Sequence, residues 1–454
     1  MRVLLTTLPS PFLDDDRAFP QLGILYLLSV AKAAGHRVYY MKHPYLSGLE
    51  ANTLGSALFY TDTVELRSRH VYDEYDAVAI SAVTPQGGQA RELLDRLKAD
   101  RPGRPVIIGG PHATHYSQEC LDAGFDYVSV GDGEEWFVSF LNGKYHPSRR
   151  RWHGLLNAHD MNRMPPPLRE KEYLQNYGEY KLRGRPATSM IVSRGCGRHC
   201  AFCEDGSSPA RWYTPEHFEQ QVLDVKRAGF DAVMIYDDLF AISSKKVRPY
   251  AEILKKHGVI YRCFTHARSV WKDKELAHVL ADTGCVAVGF GAESMDDGIL
   301  ETINKRTTGQ MNQYCVDIMQ GVGINVKSFF MLGLPGETTQ TAEKMYDFIK
   351  RNRELYPDLY DFDQASIFFP FKGTEIGDSL RRGEDRYDLR LVEGLTWEEV
   401  DNKCLGAHKA AGGESEHITE TSCLSCAALA IWQDRIRTLS KRFDGRELRE
   451  GVYE

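Results

Sequence analysis

Short apolar runs separated by amphipathic stretches dominate the first third of the chain. The runs at 3–5, 38–40, 77–80, 106–108 and 127–130 are bounded by glycine or polar residues and are too short for helices, which predicts buried strands. Between them, 22–34 and 89–99 repeat apolar residues at helical spacing, with Leu93, Leu94 and Leu97 on one face. Strands alternating with helices of this length predict a doubly wound, Rossmann-like parallel sheet over 1–142. Ligands of such sheets lie outside the strand C-termini, which puts Thr84-Pro85 and Gly109-Gly110 at the mouth. Residues 143–187 are polar, carry Pro165-Pro166-Pro167 and read as a linker. From 188 the alternation resumes as six βα units. Strands fall near 189–194, 231–237, 260–266, 286–291, 324–331 and 362–369, with helices over 216–226, 245–256, 274–282, 311–321 and 342–351. This predicts a partial (βα)6 barrel over 188–371, with its chemistry at the strand C-termini, followed by a C-terminal segment, 372–454, of weaker pattern. The fold class expected is α/β throughout.

Composition changes this picture little. A chain of 454 residues supports two or three domains. Its 42% hydrophobic and 26% charged content is that of an ordinary soluble protein. With a net charge of −7 and no long basic block, neither nucleic acid nor an anionic membrane is an expected partner. Arg149-Arg150-Arg151 reads as a solvated stretch of linker. No apolar run is long enough to span a bilayer, and the first residues read as a strand, not a signal peptide. Ten cysteines in this length do not suggest a disulfide scaffold, so the reducing cytoplasm is the expected compartment. Cys120, Cys263, Cys285 and Cys315 lie in apolar stretches and read as core.

Cys196, Cys200 and Cys203 form C-x3-C-x2-C directly after an apolar strand-like run. Three thiolates on one loop can ligate three irons of a 4Fe-4S cluster and leave the fourth iron open; a zinc loop is the competing reading. The triplet, with aromatic Phe202 before its last cysteine, resembles the signature of the radical S-adenosylmethionine (SAM) superfamily. That resemblance implies an open iron that chelates the SAM amine and carboxylate, reductive cleavage to a 5′-deoxyadenosyl radical, and a flavodoxin- or ferredoxin-type electron donor. It also orders the later strand ends. Tyr236 and Asp237 resemble the segment that holds the SAM amino group, and Arg268 the partner of its carboxylate. Glu293-Ser294 resemble the ribose and amino contact, with Asn304-Lys305-Arg306 following in the usual place. Gly333 and Pro335, in G-L-P-G-E-T, resemble the adenine-side turn. Asp238, His266 and Asp363 are candidates for proton transfer, His266 reading equally as a satisfied buried histidine. Cys404, Cys423 and Cys426 could hold an auxiliary cluster, zinc with His408 or His417, or nothing.

A second resemblance lies upstream. Pro20-x-Leu22-Gly23, Gly109-Gly110-Pro111-His112 and Gly131-Asp132-Gly133-Glu134 are similar to the cobalamin-binding-type domain that many radical SAM enzymes carry. No histidine stands in a D-x-H-x-x-G context, so a His-ligated cobalt is not expected, and use of cobalamin stays open. The compact chain and domain order resemble the diol dehydratases of aminoglycoside biosynthesis. That resemblance implies dehydration of an amino sugar without cobalamin and an alcohol dehydrogenase acting on the product. Asp237, Asp238, Glu293 and Asp363 would suit a polyamine substrate. A cobalamin-dependent methyltransferase is the alternative enzyme, and an iron–sulfur or zinc sensing module the alternative of another class.

Overall fold

The structure is a computed structural model. It describes residues 1–8, 21–42, 58–59, 64–65, 72–145, 148, 150–170, 180–204, 206, 208–362, 365–402 and 418–443. The chain divides into two compact units, the first built on Met1–Gly178 and the second on Glu179–Val400 together with the C-terminal helix. Among the described residues no helix is long and apolar enough to cross a membrane.

The first unit is an eight-stranded sheet. Its strands are β1 (Val3–Thr7), β2 (Val38–Lys42), β3 (Leu58–Phe59), β4 (Val64–Glu65), β5 (Ala77–Ser81), β6 (Val106–Gly109), β7 (Tyr127–Gly131) and β8 (Arg151–Gly154), in the order β4-β3-β2-β1-β5-β6-β7-β8. Pairing is parallel from β2 to β8 and antiparallel on the β3–β4 side. Period-2 alternation sends neighbouring residues of β1 into different cores. Leu4 joins Val78, Ile80 and Ile108 under the helix Gly87–Asp100, through Leu93, Leu94 and Leu97. Val3 and Leu5 join Ala77, Ala79 and Ile107 under the helices Leu22–Ala33 and Glu134–Leu141. Apolar cover on both faces is why these strands read as continuous apolar runs.

The expected linker differs. Its first part folds into this unit, with β8 as the edge strand and Leu168 N–H bonded to Leu25 O at 3.0 Å. Arg150 is not idle solvated charge either. Its guanidinium donates to Leu121 O and Phe125 O, carbonyls at the end of the helix Ser117–Asp122, a common use of arginine at a helix C-terminus.

The second unit is a half-barrel. A hairpin of β9 (Lys181–Leu182) and β10 (Arg185–Met190) opens it, and β11 (Ser193–Arg194) pairs β12 (Arg211–Trp212). Then come β13 (Ala232–Ile235), β14 (Ile260–Thr265), β15 (Cys285–Glu293), β16 (Asn325–Leu332), β17 (Tyr360–Phe362) and β18 (Ser366–Ile367). From β10 the strands lie parallel in sequence order, and β17 and β18 share the last position on β16. Tyr261, Cys263, Val288, Phe290, Val326 and Phe330 face the helices and form the main core; their neighbours in sequence face the concave side. Cys263, Cys285 and Cys315 are buried in this core and Cys120 in that of the first unit, as expected.

The segment after 372 is less separate than its pattern suggests. The helix Cys426–Phe443 places Leu429, Trp432, Ile436 and Leu439 in the barrel core. The helix Glu375–Arg381 packs Ile376 against Ala201, Ile303, Leu334 and Phe368. A small antiparallel pair, β19 (Leu389–Leu391) with β20 (Thr419–Thr421), completes the unit.

Candidate functional site

After β10 and β11 the chain enters the cysteine loop, and backbone bonds hold it from several sides. His199 N–H binds Gly206 O at 2.8 Å, Ala201 N–H binds Ile303 O at 2.9 Å and Ile376 N–H binds Ala201 O at 3.0 Å. The Asn304 amide donates to His199 O at 2.6 Å. The thiols of Cys196, Cys200 and Cys203 are half-buried and free of disulfides. Burial pushes the Cys200 thiol up, and the Lys305 ammonium pulls against it. Among the described residues no three His, Cys, Asp or Glu side chains sit tightly enough for a single metal ion. A cubane cluster spreads its thiolates over different irons and does not require that grouping. Three thiols on one backbone-fixed loop beside a buried cation fit such a cluster.

Asp237 departs from its expected role. It is 1% exposed, with Oδ1 accepting Val192 N–H at 2.6 Å and Oδ2 accepting the Ser193 hydroxyl at 2.7 Å. Burial pushes its carboxyl up to about 7. Its oxygens therefore brace the approach to the cysteine loop. Tyr236 and Asp238, one residue to either side, are exposed.

At the end of β14, His266 is buried and its Nδ1 accepts Arg268 N–H at 3.3 Å. Burial, reinforced by Lys305, Arg198 and Arg268, pushes its pKa down to about 2. The proton of the neutral ring then belongs on Nε2, a buried atom with no well-formed hydrogen bond among the described residues. His266 is thus a fixed neutral donor, neither fully satisfied nor a source of an acidic proton. The Arg268 guanidinium, half-buried, has no side-chain partner among the described residues. A donor and a cation without a matching anion fit a carboxylate-bearing ligand such as SAM.

Glu293, at the end of β15, is spent on Lys305: Oε1 lies 2.7 Å from Nζ. Ser294 is fully buried, and its Oγ accepts Asp296 N–H at 3.1 Å. That bond shapes the turn. Gly333 and Pro335 are buried as well. Glu337 accepts Gly333 N–H from inside this turn, and burial pushes its carboxyl up to about 8. Asp363 and Cys404 lie outside the described residues. Cys423 is exposed, and the Cys426 thiol donates to Thr419 O at 3.6 Å. Two of the four carboxylates expected to suit a polyamine, Asp237 and Glu293, are thus engaged within the chain.

Sequence reasoning gave Lys305, Asn304, Arg198 and Glu337 no role. The visible signal was glycine at 291, two residues before Glu293. It also missed an aromatic layer on the concave face. Tyr236, Phe264 and Phe329 follow one another with ring centres 6.3 and 6.1 Å apart. On the strand between the two phenylalanines stands Gly289, where a Cβ would lie 2.8 Å from Phe264 and 2.9 Å from Phe329. The missing side chain lets the rings close into one wall. Arg262 lies 5.6 Å from the Phe264 ring centre and Lys327 5.9 Å from that of Phe329.

The mouth of the first sheet is built differently. His112, after β6, stacks on Tyr116 at 5.1 Å and presses on Gly87, where a Cβ would lie 2.7 Å from the imidazole. Burial, helped by His115, pushes its pKa down to about 4. Among the described residues its Nδ1 is buried without a partner, as are Thr84 Oγ1, Gln89 Oε1 and Ser129 Oγ. Four unmatched polar atoms beside glycine-lined strand ends fit a large ligand rich in hydrogen-bonding groups, as cobalamin is.

A half-barrel that gathers three thiols and several cations at its strand ends, preceded in the chain by a doubly wound sheet with a mouth of neutral polar groups, points to a class of radical enzyme. The chain carries a radical SAM domain and a B12-binding domain: the family model "Radical SAM superfamily" matches residues 190–349 and "B12 binding domain" residues 17–141. Its cofactors are accordingly a 4Fe-4S cluster and SAM. Bacteriochlorophyllide d C-8(2)-methyltransferase from Chlorobaculum tepidum is 23% identical, over 74% of this chain and 83% of that protein. Anaerobic magnesium-protoporphyrin IX monomethyl ester cyclase from Cereibacter sphaeroides is 24% identical, over 84% of this chain and 63% of that protein. The solved structure of the cobalamin-dependent SAM radical enzyme OxsB, with aqua-cobalamin and SAM bound, matches 97% of this chain and 67% of its own. Its TM-score is 0.68 and its identity 16%, a likeness of fold.

Proposed function

We propose that this chain is a cobalamin-dependent radical SAM methyltransferase acting on a small molecule. The observation that carries the reading is the mouth of the first sheet, where His112, Thr84, Gln89 and Ser129 keep buried polar atoms unmatched among the described residues. A domain retained only as a packing partner would fill or pair such atoms, since each costs about 1–3 kcal/mol when left alone. Methyltransferases recur among the relatives, and the match to the first covers more of that protein than the match to the cyclase does. The diol dehydration expected from the sequence finds no such support, and the alcohol dehydrogenase partner was expected only on that basis.

In this reading Cys196, Cys200 and Cys203 hold the cluster, while Arg268 and the His266 Nε2–H hold the SAM carboxylate. When bound, the cluster supplies the electron that cleaves SAM, and cobalamin supplies the methyl group. The wall of Tyr236, Phe264 and Phe329 positions the substrate by its flat or apolar face and keeps water from the carbon to be attacked. Asp238, exposed at the strand end, is the candidate among the described residues for moving a proton. A flavodoxin- or ferredoxin-type protein delivers the electron.

The test is the mass of the product. Enzyme prepared with and without cobalamin is supplied with methyl-deuterated SAM, a reductant and a panel of candidate amino sugars and conjugated rings. A product heavier by one labelled methyl, formed only with cobalamin, is expected. A product lighter by one water, formed without cobalamin, would restore the dehydratase reading in its place.

A further inference from the structure

Six non-glycine residues among those described take a left-handed backbone, and four of them, His199 (φ 59°), Glu293 (60°), Asn304 (53°) and Arg306 (58°), belong to the cysteine loop and the ion pair beside it. Such backbone is unfavourable for L side chains and persists where the surroundings impose it, often at functional sites. Lys305 and Glu293 are nearly sealed from water, their side chains 9% and 11% exposed. A Cβ at Gly291 would lie 2.1 Å from Glu293 Oε1 and 2.7 Å from Lys305 Nζ, so the pair occupies space that only glycine leaves. The ammonium stands 5.6 Å from the centre of the Phe202 ring, next in sequence to Cys203. Ile303 and Asn304, just before Lys305, are bonded to the cysteine loop at Ala201 and His199. Although burial opposes it, Glu293 and the Cys200 and Cys203 thiols hold Lys305 above its usual value. A buried ion pair is a poor device for stability alone, because desolvation offsets the attraction.

We propose that Lys305, held in place by Glu293, is a positioning residue that raises the reduction potential of the cluster on Cys196, Cys200 and Cys203. Reduction adds one electron and one negative charge to the cluster, with the electron coming from the external donor and no bond made or broken. A cation fixed nearby in a medium of low dielectric stabilises the reduced state. The inference rests on the three cysteines being the cluster ligands, a point that iron content tests separately.

Full-length protein reconstituted with iron and sulfide is titrated anaerobically, and the reduced cluster is followed by electron paramagnetic resonance. K305M should keep the wild-type iron content and lose about tenfold in the equilibrium constant for reduction, about 59 mV for a one-electron couple. E293Q removes the counter-charge while leaving an acceptor for the ammonium, and should shift the potential the opposite way. K305R should return it near the wild-type value. A residue that merely held the loop would move both variants together or leave both unchanged, and either result at full iron content overturns the proposal. If K305M takes up no iron, E293Q decides alone: an upward shift supports the proposal, and an unchanged or lower potential ends it. Full iron in C196A, C200A or C203A would instead break the ligand assignment.

Discussion

At the ends of β5, β6 and β7 the first sheet presents Thr84, Gln89, His112 and Ser129, neutral groups with buried polar atoms left over. At the ends of β14 and β15 the second sheet presents Arg268 and the sealed pair of Lys305 with Glu293, fixed charges beside three thiols. Both sheets are parallel and put their chemistry at the same topological place, as the geometry of such folds requires. They differ in what they are prepared to hold. Neutral donors and acceptors suit a bulky ligand bound through many hydrogen bonds. Buried charge suits an anionic cluster and a zwitterion whose ionic groups must be held in one orientation. Fold alone does not distinguish the two sites; the balance of charge does.

The largest effect should come from the charged side. Replacing Cys196, Cys200 or Cys203 with alanine is expected to abolish the SAM-cleaving cluster and all 5′-deoxyadenosine formation, while binding of cobalamin to the first unit persists. Wild-type 5′-deoxyadenosine production in any one variant would break the comparison at its root. Next, Arg268→Ala removes a cation that has no side-chain partner among the described residues and should weaken SAM binding by about 1.5–3 kcal/mol, with cobalamin affinity unchanged. Equilibrium dialysis of both ligands measures this, and equal SAM affinity would move the carboxylate site elsewhere.

The smallest effect is one of sign. His112 has its folded pKa depressed from 6.5 to about 4. The unfolded chain therefore binds more protons between those values, and the stability from keeping this ring neutral is lost as pH falls through that window. Glu337 is raised from 4.5 to about 8. The native state keeps a proton that the unfolded chain releases, so its contribution is complete below the lower value and lost as pH rises to the upper. Each slope is at most about 1.4 kcal/mol per pH unit. Thermal unfolding followed against pH should show the acid side flattened by His112→Gln and the alkaline side by Glu337→Gln. The same flank flattened by both variants would mean that the two sites are not electrostatically distinct.

Much of this was legible in the sequence. The apolar runs of β1, β5 and β6 and the order of six barrel strands follow from alternation alone, and the cysteine triplet announced its chemistry through spacing. What stayed hidden had physical reasons. β8 is Arg-Trp-His-Gly, with no apolar alternation, so only its pairing to β7 reveals a strand. Leu429, Trp432, Ile436 and Leu439 do keep helical spacing, but polar residues between them mask the stripe. Asp237 and Asp238 look like two equivalent acids, yet adjacent residues leaving a strand point to opposite sides, and only the buried one meets Val192 and Ser193. Lys305 and Glu293 are twelve residues apart and meet only after the turn closes. That contact also cancels the negative charge on which an amino-sugar substrate had been argued.

The central claim, that each sheet holds its own ligand, is tested most directly by titrating hydroxocobalamin into the anaerobically reconstituted protein and following its visible spectrum beside iron analysis. One equivalent bound, retained in the C196A variant that has lost its cluster and weakened when His112 or Ser129 is replaced by a bulkier apolar residue, is the predicted result. No binding to protein carrying its full complement of iron would contradict the account and leave the first sheet as a packing domain.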